Sequence, residues 1–184
     1  MIKLPIIESY WVEDNHFLAG EYPGSYDPES TRLRMDAFLE AGVNTFIDLT
    51  QAHELVPYEN ILKEQAEIHG VLASYHRFAM RDHGAPSAET MTGILNTMDE
   101  AIHNGGCVYV HCWGGVGRTG MVVGCYLIRH GIPNEQALAQ VDQLYKTRPK
   151  NPYFSHSPEN REQIEFVLNW WDEPQKNSRK YCEG

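Results

Sequence analysis

One cysteine, one arginine and three glycines fall within seven residues in the run His111-Cys112-Trp113-Gly114-Gly115-Val116-Gly117-Arg118-Thr119-Gly120. A phosphate monoester dianion needs donors converging on its non-bridging oxygens, and a glycine-rich strand-to-helix turn supplies them as backbone N–H groups. Gly114, Gly115 and Gly117 permit that curvature, Val116 completes it, and Trp113 either walls the pocket or simply packs. Arg118 would close the loop with a planar fork that grips two phosphate oxygens, which a lysine could not match. At the start of the loop, Cys112 would feel the N–H groups, the following helix N-terminus and Arg118, all of which favour the nucleophilic thiolate. In-line attack on phosphorus would give a thiophosphate intermediate, with Thr119 donating a hydrogen bond to the sulfur as it later leaves. His111 is better suited to brace the loop than to act as a base, because a thiolate already formed needs none. The alternative, a structural cysteine beside a glycine turn, leaves Arg118 and three glycines without a purpose.

The spacing His-Cys, five residues, Arg, Thr resembles the signature of the protein tyrosine phosphatase superfamily, and the small size resembles its dual-specificity and phytase-like branches. The resemblance covers residues 11–171. It implies an aspartate on a loop upstream that protonates the leaving group. Asp82, in Arg81-Asp82-His83-Gly84-Ala85-Pro86, matches that loop, although no Trp-Pro precedes it; the alternative is an ordinary turn aspartate. It also implies a residue that positions the hydrolytic water. Gln163, in Ser157-Pro158-Glu159-Asn160-Arg161-Glu162-Gln163, resembles the glutamine some relatives use, against a solvated helix glutamine. Asp48 would support the site from a neighbouring strand end or serve as a turn residue. A rhodanese-like carrier has a shorter loop, and a low-molecular-weight phosphatase carries its cysteine near the N-terminus, whereas Cys112 is mid-chain.

Basic residues gather near these motifs. Arg77, Arg81 and His83 flank the acid, and Lys146, Arg148, Lys150, His156 and Arg161 lie between the last two helices. Converged on one rim, with Arg81, His83 and Lys150 touching substrate, they would favour a polyanion; taken singly, each is a solvated charge. Cys107 and Cys125 would be buried structural thiols or partners of Cys112 in reversible oxidation.

The elements that must position these groups are legible from periodicity and punctuation. Trp11-Val12 and Phe17-Leu18 flank Asp14-Asn15, a hairpin signal, and Pro23-Gly24 and Asp27-Pro28 mark a loop. A first helix follows with Leu33, Ala37, Phe38 and Ala41 at helical spacing, then a strand over 43–49, a polar helix over 61–69 and a strand over 73–78. Ser87 caps a helix that buries Met91, Ile94, Leu95, Met98, Ala101 and Ile102, and a strand over 107–110 leads into the cysteine loop. The run 119–130 is apolar on nearly every side and reads as a buried helix. Two more helices follow. One turns Ala137, Leu138, Val141, Leu144 and Tyr145 inward; the other is capped by Ser157-Pro158, with Ile164, Val167, Leu168 and Trp171 inward. The alternation predicts an α/β domain with a largely parallel central sheet flanked by helices, the cysteine-phosphatase fold the resemblance implies.

The 184 residues suit one domain over 1–171 with a C-terminal tail over 172–184. Hydrophobic residues at 42% and charged residues at 22% exclude wholesale disorder. A net charge of -10 argues against nucleic acid or an anionic membrane as partner. Four cysteines without framework or zinc spacing fit a reducing compartment, and the apolar start, broken by Lys3 and Pro5, is too short for a signal core. The expectation is a cytoplasmic phosphomonoester hydrolase, metal- and cofactor-free, whose partner is a phosphorylated protein or an inositol polyphosphate. The rival is a pseudophosphatase that binds without turnover.

Overall fold

The computed structural model describes residues 4–149 and 152–171, so Lys150 and the tail expected over 172–184 lie outside the described residues. Two strands, β1 (Ser9–Glu13) and β2 (Phe17–Gly20), form the expected hairpin, with Asn15 taking the positive φ its turn requires. There follow α1 (Pro28–Glu40), β3 (Thr45–Asp48), α2 (Glu59–His69), β4 (Ser74–Arg77), α3 (Ala88–His103), β5 (Val108–His111), α4 (Gly117–Arg129), α5 (Asn134–Tyr145) and α6 (Arg161–Leu168). Local chemistry sets several boundaries: Asp27 accepts from the Ser30 amide with Pro28 opening α1, Ser87 accepts from the Thr90 amide, and Gly70 ends α2 in the left-handed region.

The five strands lie in the order β1-β2-β5-β3-β4, antiparallel only between β1 and β2. Side chains alternate across it: Phe17, Ala19, Ile47, Val108 and Val110 face α3 to α6, and Leu18, Phe46 and Tyr109 face α1 and α2. Cover on both faces explains why β5, Val-Tyr-Val-His, is buried at every position. It is also the middle strand, so the loop that follows it emerges at the centre of the sheet's C-terminal edge. Register aligns Gly20, His111, Asp48 and Arg77 in one row along that edge.

Two helical faces differ from expectation. On α1 the buried residues are Thr31, Met35, Phe38 and Leu39, while Leu33 is exposed. The Thr31 hydroxyl holds the Ser25 amide at 2.9 Å, which turns a polar residue inward and Leu33 out. α6 is capped by Asn160, whose side chain accepts from the Gln163 amide at 3.0 Å, rather than by Ser157-Pro158, which forms a cis turn before it. The later start shifts the buried stripe to Gln163, Val167 and Trp170, leaving Leu168 and Trp171 exposed.

Candidate active site

The loop after β5 is shaped by what takes its carbonyl oxygens. The Tyr22 amide donates to Trp113 O at 2.8 Å, Arg148 donates to Gly114 O at 3.1 Å and Gly115 O at 3.2 Å, and Ser157 Oγ donates to Val116 O at 2.7 Å. Four consecutive carbonyls are thus tied outward, which turns the peptide N–H groups into the loop. Among the described residues no acceptor takes the N–H groups of Trp113 through Arg118. A cradle of free donors at the start of α4 is an anion site. Gly115, at φ +66°, presses on the backbone of Gly20 and Glu21, where no Cβ would fit.

Cys112 Sγ lies at the base of the cradle and accepts from Thr119 Oγ1 at 3.2 Å. His111, fully buried, meets Cys112 O through Nδ1 at 3.2 Å and the Tyr58 hydroxyl through Nε2 at 2.7 Å. Burial pushes its pKa down, so the ring is held neutral. A carbonyl can only accept, so Nδ1 carries the proton and Tyr58 donates to Nε2. The histidine is a brace with no proton to take.

Arg118 is 2% exposed, and its guanidinium is already engaged. It meets Glu54 bidentately, NH1 to Oε2 at 2.9 Å and NH2 to Oε1 at 2.6 Å, and adds Met80 O at 3.3 Å and Asp82 Oδ1 at 2.9 Å. Burial would raise the Glu54 pKa, but hydrogen bonds from Arg118 and the Gln51 amide outweigh it and hold the carboxyl below its ordinary value. Asp48, fully buried, accepts from Thr50 N and Oγ1, the Tyr75 hydroxyl and Arg77. Burial opposes its ionisation, yet it stays lowered. With His111 neutral, these bonds are what hold the charge.

A cleft of ≈ 390 Å³ opens over Cys112, lined by Asp82, His83, Trp113, Gly114, Val116, Gly117, Arg118, Tyr153, Phe154 and Glu159. Gln163 sits beneath it, fully buried, close enough that a Cβ on Gly117 would lie 2.6 Å from its Oε1. Of the basic residues expected on the rim, only His83 lines the cleft among the described residues. Arg77 is spent on Asp48, Lys146 on Asp142 at 2.6 Å and Arg161 on Glu165 at 2.6 Å, and among the described residues His156 meets Ser155. Arg148 is buried behind the loop rather than on a rim, and Arg81 is exposed outside the cleft lining. Cys107 and Cys125 are buried, one before β5 and one two turns into α4, roughly 15 Å of strand and 12 Å of helix from the loop and beyond disulfide reach. Sequence reasoning missed Glu54, Glu159 and Tyr58, whose proximity to Cys112 follows from strand order and helix placement rather than from any motif.

Among the described residues, Asp82, His83 and Glu159 are the one group whose ligand atoms lie close enough, within 4.8 Å, to consider for a metal. The imidazole turns Nδ1 to Glu159 Oε1 at 3.0 Å and Nε2 toward Asp82 Oδ2 at 3.5 Å. One cation cannot use both nitrogens of a ring, so the geometry is that of a bridge.

The profile of the family described as "Polymorphic toxin system, DSP-PTPase phosphatase" matches residues 23–132, which include β3 to α4 and the whole cysteine loop. The chain belongs to this DSP-PTPase family. The mouse protein tyrosine phosphatase domain-containing protein 1 is 30% identical over 129 residues, a match spanning 66% of this chain and 17% of the mouse protein. The bovine counterpart is 28% identical over 129 residues, spanning 66% of this chain and 16% of its own length. Solved phosphatase structures share the fold. Tk-PTP in its active form has a TM-score of 0.66 at 23% identity, covering 88% of this chain and 93% of its own; PTPMT1 in complex with PI(5)P has 0.64 at 20%, covering 88% and 92%. At those identities the likeness carries the fold. Glu159 and Gln163 lie beyond the stretch the DSP-PTPase profile matches.

Proposed function

We propose that this DSP-PTPase hydrolyses aryl phosphates of the phosphotyrosine kind through a phosphocysteine at Cys112. The observation that carries the substrate class is the cleft itself: Trp113, Tyr153 and Phe154 supply aromatic walls over Cys112, and Arg118 is the one arginine or lysine lining it among the described residues. A phenyl ring suits such walls. An inositol polyphosphate would set its further phosphates against Asp82 and Glu159.

The dianion enters the cradle of N–H groups and recruits Arg118. Three hydrogen bonds occupy the terminal nitrogens of Arg118, NH2 also pairs with Asp82 Oδ1 at 2.9 Å, and Nε has no partner among the described residues, so a bidentate grip uses Nε and NH2 and draws NH2 away from Asp82. Asp82 is then left facing the leaving oxygen, where it serves as the proton donor. Cys112 Sγ attacks phosphorus, the S–P bond forms as the P–O aryl bond breaks, and the Asp82 proton goes to the departing phenolate. Water, held by Gln163, then attacks phosphorus and returns its proton to Asp82. The S–P bond breaks with the electron pair on sulfur, which the Thr119 hydroxyl stabilises. Phosphate leaves. No step needs a metal.

The test is kcat/KM on a phosphotyrosine peptide and on inositol hexakisphosphate, with chelator, at low and physiological salt. The peptide is expected to be the better substrate at both. A higher value for the inositol phosphate, shrinking as salt rises, would overturn the assignment.

A further inference from the structure

The loop that carries Asp82 is tied to the start of α6 at three points. His83 Nδ1 meets Glu159 Oε1 at 3.0 Å, Asn160 Nδ2 donates to His83 O at 2.9 Å, and the Ala85 amide donates to Glu162 Oε1 at 3.4 Å. His83 adopts φ +58°, a left-handed conformation that is strained for a non-glycine residue and persists where surrounding contacts hold it. Its other nitrogen lies 3.5 Å from Asp82 Oδ2. Glu159 is the fixed end of the tie: its side chain is 9% exposed, its Oε1 also accepts from Gln163 Nε2 at 3.3 Å, and it rests on Gly117, where any side chain would displace it. A continuous chain of contacts therefore runs from Asp82 through His83 and Glu159 to Gln163, linking the groups proposed for the two half-reactions.

We infer that His83 and Glu159 are positioning residues which latch the loop carrying Asp82 over Cys112 and fix the aspartate for proton transfer to the leaving group. The latch rests on the reading of Asp82 as the general acid. A carboxyl swung away by the width of one bond no longer meets the leaving oxygen, and misplacement by about 1 Å can cost roughly 10²-fold. A leaving group that departs without a proton is indifferent to such a swing. Removing Glu159 also takes an anion from the cleft, but that acts on every phosphate monoester alike, so the ratio between two leaving groups isolates the latch.

The experiment compares kcat/KM on phenyl phosphate, whose phenolate needs a proton, with dinitrophenyl phosphate, whose phenolate leaves unaided. The variants are Asp82→Ala, Glu159→Ala, Glu159→Gln and His83→Asn, with Glu165→Gln on the exposed side of α6 as control. Asparagine tolerates the left-handed backbone at 83 but is too short to reach Glu159, so His83→Asn tests the latch even if Glu159→Ala folds poorly. Asp82→Ala is expected to lose about 10²–10⁴-fold on phenyl phosphate and far less on the dinitrophenyl ester. Glu159→Ala and His83→Asn are expected to show the same selectivity at about 10- to 100-fold. Glu159→Gln, which keeps an acceptor oxygen, and Glu165→Gln should retain the parent ratio. Selective loss in Asp82→Ala with equal or no loss in both latch variants overturns the latch alone. Equal loss on both esters in Asp82→Ala overturns the acid assignment, and the latch with it.

Discussion

Arg118 and Glu54 form a bidentate pair with the guanidinium 2% exposed, so removing one partner strands a buried charge. Glu54→Ala is expected to lower stability by about 1–3 kcal/mol in urea unfolding, with added phosphate restoring part of it by replacing the lost acceptor. The same residues set the pH dependence. Burial holds His111 below its ordinary pKa, so its contribution is full above the unfolded value of about 6.5 and is lost as pH falls. Asp48 and Glu54 are also lowered, despite burial, and their contribution goes at more acid pH, below about 4. Burial pushes Cys107 the other way, to about 12, so its contribution declines as pH rises above about 8.5. Thermal melts should therefore give a plateau between about pH 6.5 and 8.5 with two acid steps, and Cys107→Ala should flatten the alkaline fall. A midpoint that rises on acidification would contradict this assignment of charges.

Helix and strand placement decided which sequence signals translated into site geometry. The cysteine loop was legible because its residues are contiguous and their chemistry is local. The hairpin and the Ser87 cap were legible for the same reason, since turn and cap residues act within four positions. The inward face of α6 was not, because it depends on whether Ser157 or Asn160 caps it, and that one choice rotates Gln163 inward and Trp171 outward. Nor was the fate of the arginines, which depends on strand order: Arg77 finds Asp48 only because β4 lies beside β3. The packing of α6 on α4 offers a direct test. A Cβ on Gly124 would lie 2.7 Å from Val167 Cγ1, so Gly124→Ala should cost about 1–3 kcal/mol. On α3, a Cβ on Gly93 would meet only Phe78 at 3.6 Å, so Gly93→Ala should instead stabilise by about 0.5–1 kcal/mol. A Gly124→Ala midpoint that holds or rises as the Gly93→Ala midpoint does would show that α6 does not pack as described.

At the scale of the whole molecule, a net charge of -10 surrounds a cleft with one permanent cation lining it among the described residues. The far field repels a phosphate dianion, and salt shortens that repulsion to a Debye length of about 8 Å at physiological ionic strength. kcat/KM on a phosphotyrosine peptide of neutral flanks should therefore rise modestly from low to physiological salt, where a basic rim would make it fall. No helix among the described residues is long and apolar enough to cross a membrane. Sheet, helices and outward-tied carbonyls converge on one atom, Cys112 Sγ, where the proposed covalent bond to phosphorus forms. Rapid acid quench of the Gln163→Ala protein turning over an aryl phosphate, followed by peptide mass spectrometry, measures that bond. The expected result is a phosphoryl group on the peptide containing Cys112, formed at the rate of phenolate release and absent from Cys112→Ser, which should still bind phosphate but not turn over. A phosphoryl group on another residue, or a Cys112→Ser protein that retains a substantial fraction of parent turnover, would contradict it.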